Sequence, residues 1–165
     1  MSTKQKFSDK REHRFVISKP TSSDPTLVVC PKCEGMAKVF PFGEQPKIGF
    51  SMRITCSSCS YVGDKQDTKQ SYSWYDEDPT DGYFGYSLWL KIPCCGHSLW
   101  AFNKRHLNFL IDFVSAELRE RSQDDYGWAN SSLASRLPKW IKAGKNRDKI
   151  MSCLAKLQKL GGYKA

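Results

Sequence analysis

Residues 30–63 read CPKCEGMAKVFPFGEQPKIGFSMRITCSSCSYVG, and the two CxxC pairs at the ends, Cys30–Cys33 and Cys56–Cys59, decide how the chain folds. A CxxC puts two sulfurs on one tight turn, so both reach a single ion. A second such turn supplies the opposite edge of a tetrahedron. The pairs stand 22 residues apart, slightly more than the usual spacing of about 15–20, which predicts an extended hairpin between them. Gly35 and Gly63 follow the two turns, and Val39, Phe40, Ile54 and Val62 mark the strands that leave them. This is the pattern of a zinc ribbon.

Four thiolates fill every coordination position of Zn²⁺ and leave none for water, so the expected metal, one Zn²⁺ per chain, is structural and not catalytic. A [4Fe–4S] cluster also takes four cysteines, but the two-plus-two spacing, filled by Lys32, Ser57 and Ser58, favours zinc. The duplicated pair argues against a thioredoxin-like redox motif. In so small a ribbon metal binding is itself folding energy, of order 10 kcal/mol in model peptides.

Outward from the ribbon the chain stays β-rich before it turns helical. TLVVC (26–30), MAKVF (36–40), IGFSMRIT (48–55), SYVG (60–63), QSYSWYD (70–76), YSLWLKI (86–92) and SLWAF (98–102) read as short strands between Gly, Pro and Asp turns. In YSLWLKI, Tyr86, Leu88, Leu90 and Ile92 share one face and Ser87, Trp89 and Lys91 the other. After Asn103, a candidate N-cap, the period becomes 3.6: Leu107, Leu110, Ile111, Val114 and Leu118 form a stripe ending in LRERSQDD. A shorter helix is expected between Asn130-Ser131-Ser132 and Pro138. A last helix is expected from Asn146 to Leu160, with Ile150, Cys153, Leu154, Leu157 and Leu160 inward and Gly161-Gly162 closing it. The fold class is therefore α+β: a four-cysteine zinc ribbon and antiparallel β-sheet, then a C-terminal helical segment of about three helices. The organisation expected is a flexible basic arm over 1–25, one domain over 26–160 (ribbon 26–66, β-rich part 67–102, helical part 103–160) and a tail over 161–165.

Composition narrows the partners. The chain has 165 residues, a net charge of +9 and seven cysteines, enough for one domain with a real core. No segment reads as a signal peptide or membrane span, and the odd cysteine count with two tidy pairs suits a reducing, cytoplasmic compartment and metal binding over disulfides. Residues 1–20 carry six Lys/Arg, residues 136–165 carry nine, and Asp64 to Asp81 carry six acids. Basic ends suit a polyanionic partner, through phosphate neutralisation and counterion release. In RLPKWIKAGKNRDK, Trp140 stands among Arg136, Lys139, Lys142, Lys145, Arg147 and Lys149, so a base can stack on the ring while its neighbours hold phosphates, the alternative being that Trp140 and Ile141 anchor the segment to the core. Lys38, Lys47 and Arg53 add positive charge to the ribbon hairpin.

The stretch IPCCGHSLW (92–100) raises a second metal question. Cys94, Cys95 and His97 would need His106 or His13 to complete a site, and a catalytic Cys/His pair has no recognisable context. The favoured reading is a hairpin turn between YSLWLKI and SLWAF, with thiols packed against the ribbon and the imidazole hydrogen-bonded. Asp76, Glu77, Asp78 and Asp81 lack the spacing of a Ca²⁺ loop and read as a solvated acidic turn.

Taken together, CPKC, CSSC, LWLKIPCCGHSLWAFNKRHL, AELRER and SRLPKWIKAGKNRDKI resemble a group of small bacterial proteins that contain a transcription-factor-IIB-type zinc ribbon. The likeness runs from about Leu27 to Leu160. It implies Cys30, Cys33, Cys56 and Cys59 as zinc ligands and little about activity, because a zinc ribbon serves many unrelated roles. The chain departs from the general transcription factor in its longer hairpin and in lacking cyclin-like helical repeats, which sets it apart from direct recruitment of RNA polymerase.

The sequence thus favours nucleic-acid binding with structural zinc. The alternative is a protein-interaction module, a regulator, adaptor or immunity-type partner, that docks an acidic protein through Trp74, Tyr75, Tyr83 and Phe84. No phosphate-cradling loop, HExxH or nucleophile elbow is present, so a non-enzymatic role is favoured and no small-molecule substrate is evident.

Overall fold

The computed structural model describes residues 19–68, 78–116 and 137–163, together with the backbone of residues 6–9, 118–121, 123–124 and 127–128. The first element is a short strand, β1 (Lys6–Asp9). The ribbon follows as four antiparallel strands in chain order: β2 (Thr26–Val29), β3 (Met36–Pro41), β4 (Phe50–Cys56) and β5 (Val62–Thr68). Ala37 lies opposite both Val28 and Cys56, and Val39 opposite both Thr26 and Ile54. Since directly opposed residues share a sheet face, this register gathers Val28, Ala37, Val39 and Ile54 on one buried side while Lys38 points to solvent.

The free edge of β2 is not left open. Leu88 bridges to Val28, the Val29 and Trp89 N–H groups bond to the Ser87 and Leu27 carbonyls, and the Leu27 N–H bonds to the Phe102 carbonyl. These bonds explain why the strand expected from Tyr86 pairs regularly only from Leu90. Ser87 to Trp89 are already engaged with β2 and with the 79–80 segment. From there β6 (Leu90–Cys94) and β7 (His97–Ala101) form a hairpin whose two-residue turn, Cys95-Gly96, has φ of +53° and +79°. Two left-handed residues define a type I′ turn, which matches the twist of the strands it joins.

The helix α1 (Lys104–Ser115) starts where the sequence placed it. The Asn103 side chain accepts the His106 N–H, and Asp24 adds a second acceptor for the Lys104 and Arg105 N–H groups. A carboxylate there also meets the positive end of the helix. Asp24 pairs with the Arg105 guanidinium, which in turn donates to the Lys19 carbonyl. Residues 19–25, assigned by sequence to the arm, are thus tied to α1.

The helix stops short of its expected length. Ala116 is extended, its carbonyl accepts from Arg147, and Leu118 lies in β8 (Leu118–Arg121), which pairs parallel with β1. The buried face of α1 consists of His106, Leu107, Phe109, Leu110, Phe113 and Val114, with Ile111 only half-buried. Two-residue strands β9 (Gln123–Asp124) and β10 (Gly127–Trp128) follow. The helix expected between Asn130 and Pro138 and the strand expected over 70–76 lie outside the described residues. One turn of helix, α2 (Lys139–Lys142), a 3₁₀ turn (Gly144–Asn146) and α3 (Arg147–Leu160) complete the chain.

On α3, Ile150, Cys153, Leu154 and Leu157 are buried as expected, but Leu160 is exposed. Its backbone is what is held: the Leu160 carbonyl accepts the Trp89 indole N–H at 3.0 Å. The ribbon, the β6–β7 hairpin, α1 and α3 share one contiguous core, from Val28, Val39 and Ile54 through Leu88, Leu90 and Leu99 to Leu107, Leu110, Leu154 and Leu157. This is the α+β fold of a sheet followed by about three helices. Among the described residues no helix is long and apolar enough to cross a membrane.

Candidate metal centre

Two turns of the ribbon bring four sulfurs together. The first lies between β2 and β3 and carries Cys30 and Cys33; the second lies between β4 and β5 and carries Cys56 and Cys59. Across the gap Cys30 Sγ is 3.6 Å from Cys59 Sγ and Cys33 Sγ is 3.5 Å from Cys56 Sγ, and all four lie within 4.8 Å of one another. The first cysteine of each pair is buried and the second exposed, so each cross-pair joins a buried sulfur to an exposed one. Four sulfurs this close can hold a metal ion.

The backbone of both turns is shaped to aim N–H groups at sulfur. Lys32 N–H points at Cys30 and Gly35 N–H at Cys33, each at 3.4 Å. Cys59 and Ser58 N–H groups do the same for Cys56, and Tyr61 N–H for Cys59. The chain then reverses through a left-handed residue after each second cysteine, Glu34 (φ 62°) and Ser60 (φ 64°). The glycines read from the sequence serve a different purpose. A β-carbon at Gly35 would sit 3.3 Å from both Cys33 Sγ and Ser58 Oγ, and one at Gly63 would meet Tyr61 Oη at 2.9 Å. They allow close approach between the two turns and within β5, not the left-handed conformation.

The electrostatics of the four thiols are those of a crowded donor set. The N–H groups of Cys59 and Ser58 hold Cys56 down to about 6 against its burial. Cys33 receives the Gly35 N–H, which lowers it, yet Cys56, burial, Cys59 and Cys30 together push it up to about 12. One sulfur readily ionises, and its charge keeps a neighbour protonated. A divalent cation at the centre removes that conflict, because it stabilises all the thiolates at once.

The stretch around Cys94 is placed differently. The hairpin turn is as expected, and the Cys94 thiol lies beside Cys95 (3.9 Å) and Cys153 of α3. His97 stacks on Trp140, centroids 4.9 Å apart and planes within 6°. His106 is buried in the core, its Nδ1 accepting the Phe102 N–H at 3.1 Å. Among the described residues the tetrad is the one group of three or more such side chains with mutually close donor atoms, so Cys94, Cys95 and His97 do not join His106. His13 lies outside the described residues.

Of the basic cluster, Lys139 and Lys145 are exposed and Lys142 half-buried, around the half-buried Trp140. Arg147 reaches inward to the Ala116 carbonyl, and Arg136 lies outside the described residues. On the ribbon Lys38 and Lys47 are exposed, whereas Arg53 is bound to Asp64 in a two-pronged ion pair and lies over the Phe42 ring. The aromatic face expected for docking is not formed by the described residues: Tyr83 is in the core, Phe84 stacks on Tyr86, and Trp74 and Tyr75 fall outside the description. The acidic run is likewise internal in part. Asp81 is buried and accepts the N–H groups of Tyr83, Phe84 and Tyr86, while Asp78 pairs with Lys91. Burial raises the Asp81 carboxyl, opposed by those three N–H groups and Lys65. The His97–Trp140 pair had no signal in the sequence, because only the packing of α2 against the hairpin turn joins residues so far apart. No family model, no curated protein and no solved structure matches the chain.

Proposed function

We propose that the chain is a zinc-ribbon protein, akin to the bacterial transcription-factor-IIB-type group, that holds one structural Zn²⁺ at Cys30, Cys33, Cys56 and Cys59 and binds nucleic acid in the cytoplasm. Zinc is supported by size and donor type. Bonds of about 2.3 Å to a tetrahedral ion set sulfur–sulfur edges near 3.8 Å, close to the 3.5 and 3.6 Å found. A four-iron cluster would hold its thiolates farther apart, one on each iron. With all four positions filled by sulfur the ion holds the two turns together and offers no site to a substrate.

The observation that carries the nucleic-acid reading is the stacked His97–Trp140 pair, with His97 exposed, beside Lys139, Lys142 and Lys145. Stacked rings among lysines form a platform for an unpaired base, with phosphates held around it. Fluorescence anisotropy with single-stranded DNA, single-stranded RNA and duplex DNA tests it, on protein whose zinc content has been measured. Expected are one zinc per chain and micromolar binding at low salt that weakens steeply as salt rises. Replacing Lys139, Lys142 and Lys145 together by Gln should weaken binding by about tenfold or more. Absence of any complex at low salt removes the nucleic-acid reading and leaves the zinc reading to its own stoichiometry.

A further inference from the structure

Helix α3 carries its positive charge on one side. Lys149, Ser152, Lys156 and Lys159 are all exposed, and at 3.6 residues per turn they fall within about a quarter of the helix circumference. Ile150, Leu154 and Leu157 bury the other side. Asp148, at the margin of the exposed face, is the one carboxylate in the helix, and Lys149, Lys156 and Lys159 form no ion pair among the described residues. A helix face that is merely solvated commonly mixes the two signs. On α3, Lys156 and Lys159 repel at i,i+3 spacing, and Lys149 stands in the first turn, where the helix dipole disfavours a cation. A polyanion lying along this face relieves both.

The face also begins beside the stacked rings. The side chain of Asn146, at the start of α3, donates to the Trp140 carbonyl at 2.9 Å, and Cys153 lies beside Cys94, which pairs with His97 across the hairpin turn. The far end is fixed where the Leu160 carbonyl accepts the Trp89 indole N–H. Helix α3 therefore runs from the His97–Trp140 pair back along β6. We infer that its lysine face is a backbone track for single-stranded nucleic acid, which leaves the His97–Trp140 platform and lays its phosphates on Lys149, Lys156 and Lys159, an inference that rests on the nucleic-acid reading of that platform. From Lys149 to Lys159 the track is about 15 Å long at 1.5 Å per residue, a length that a chain of several phosphates spans. Ser152, between the lysines, adds a hydroxyl donor and lets the strand come close. An anionic membrane fits less well, because a helix lying in a bilayer surface inserts its apolar side, and that side of α3 is in the core.

The test compares zinc-loaded full-length protein with a variant carrying Lys149→Gln, Lys156→Gln and Lys159→Gln, by fluorescence anisotropy over a salt series with single strands of about 3 and about 12 nucleotides. The parent should bind the longer strand more than about tenfold tighter than the shorter. The variant should lose most of that gain, and its log–log salt slope should be shallower by about 2. Because the three side chains are exposed, circular dichroism and zinc content should match the parent. A second variant with Lys32→Gln, Lys38→Gln and Lys47→Gln, exposed lysines of the ribbon, makes the same change in net charge and should leave slope and length dependence unchanged. The inference alone is overturned if the α3 variant keeps the parent's slope and length gain, if the ribbon variant flattens the slope equally, or if the α3 variant loses only binding to phosphatidylserine vesicles, which would assign the face to lipid. Absence of any complex between the parent and either strand at low salt overturns the platform reading with it.

Discussion

His106 shows how one buried side chain sets a pH limit for the fold. Its ring lies against Trp100 and Phe102, and burial lowers its pKa from 6.5 to about 3. The unfolded chain takes up a proton below pH 6.5 and the folded one does not until about 3, so stability is complete above 6.5 and declines as pH falls through this window. Two units below 6.5 the loss should be of order 2–3 kcal/mol. Urea titrations at neutral and acid pH measure it, and His106→Gln, which keeps an acceptor for the Phe102 N–H, should show a smaller loss on acidification than the parent. At the tetrad, Cys59→Ser should weaken metal binding by at least about tenfold, with cobalt absorption changing from a four-thiolate to a three-thiolate spectrum. The identities of these four ligands could be read from sequence because CxxC is a local geometry. That His106 is core could not, since its partners Phe102 and Trp100 enclose it only once β7 and α1 pack.

At the scale of the element, α1 tests how a helix start is held. Asn103 is fully buried and caps from within the chain's own turn, whereas Asp24 reaches the same end from 80 residues before Lys104. Asn103→Ala should cost about 1–2 kcal/mol, and Asp24→Ala about 0.5–1 kcal/mol with a loss that shrinks in high salt. Equal costs at all salt concentrations would mean that the Asp24 charge contributes nothing. The start of α1 was legible because a cap is local. Its end was not: periodicity carried the stripe on to Leu118, but the Ala116 carbonyl is taken by Arg147 and Leu118 pairs with β1, so Phe109 and Phe113 complete the buried face instead.

Across the whole molecule the ribbon and the helices stand on one core, so they should melt together. Leu154→Ala, at a position with no exposure, should cost about 2–5 kcal/mol. Removing metal with a chelator should lower the melting temperature seen by far-ultraviolet helix signal as well as by tryptophan fluorescence. Two separated transitions would show that the ribbon folds apart from α1 and α3. By itself the sequence determined the α+β order, the two knuckles, the hairpin turn and the buried stripe of α3, because spacing, turn chemistry and periodicity act over a few residues. Only tertiary packing decided that Cys94 meets Cys153 of α3, that His97 lies flat on Trp140, and that Arg53, Asp81 and Arg147 turn to partners within the fold. Such pairings depend on which surfaces meet when distant segments exclude water, and no short stretch of chain encodes that.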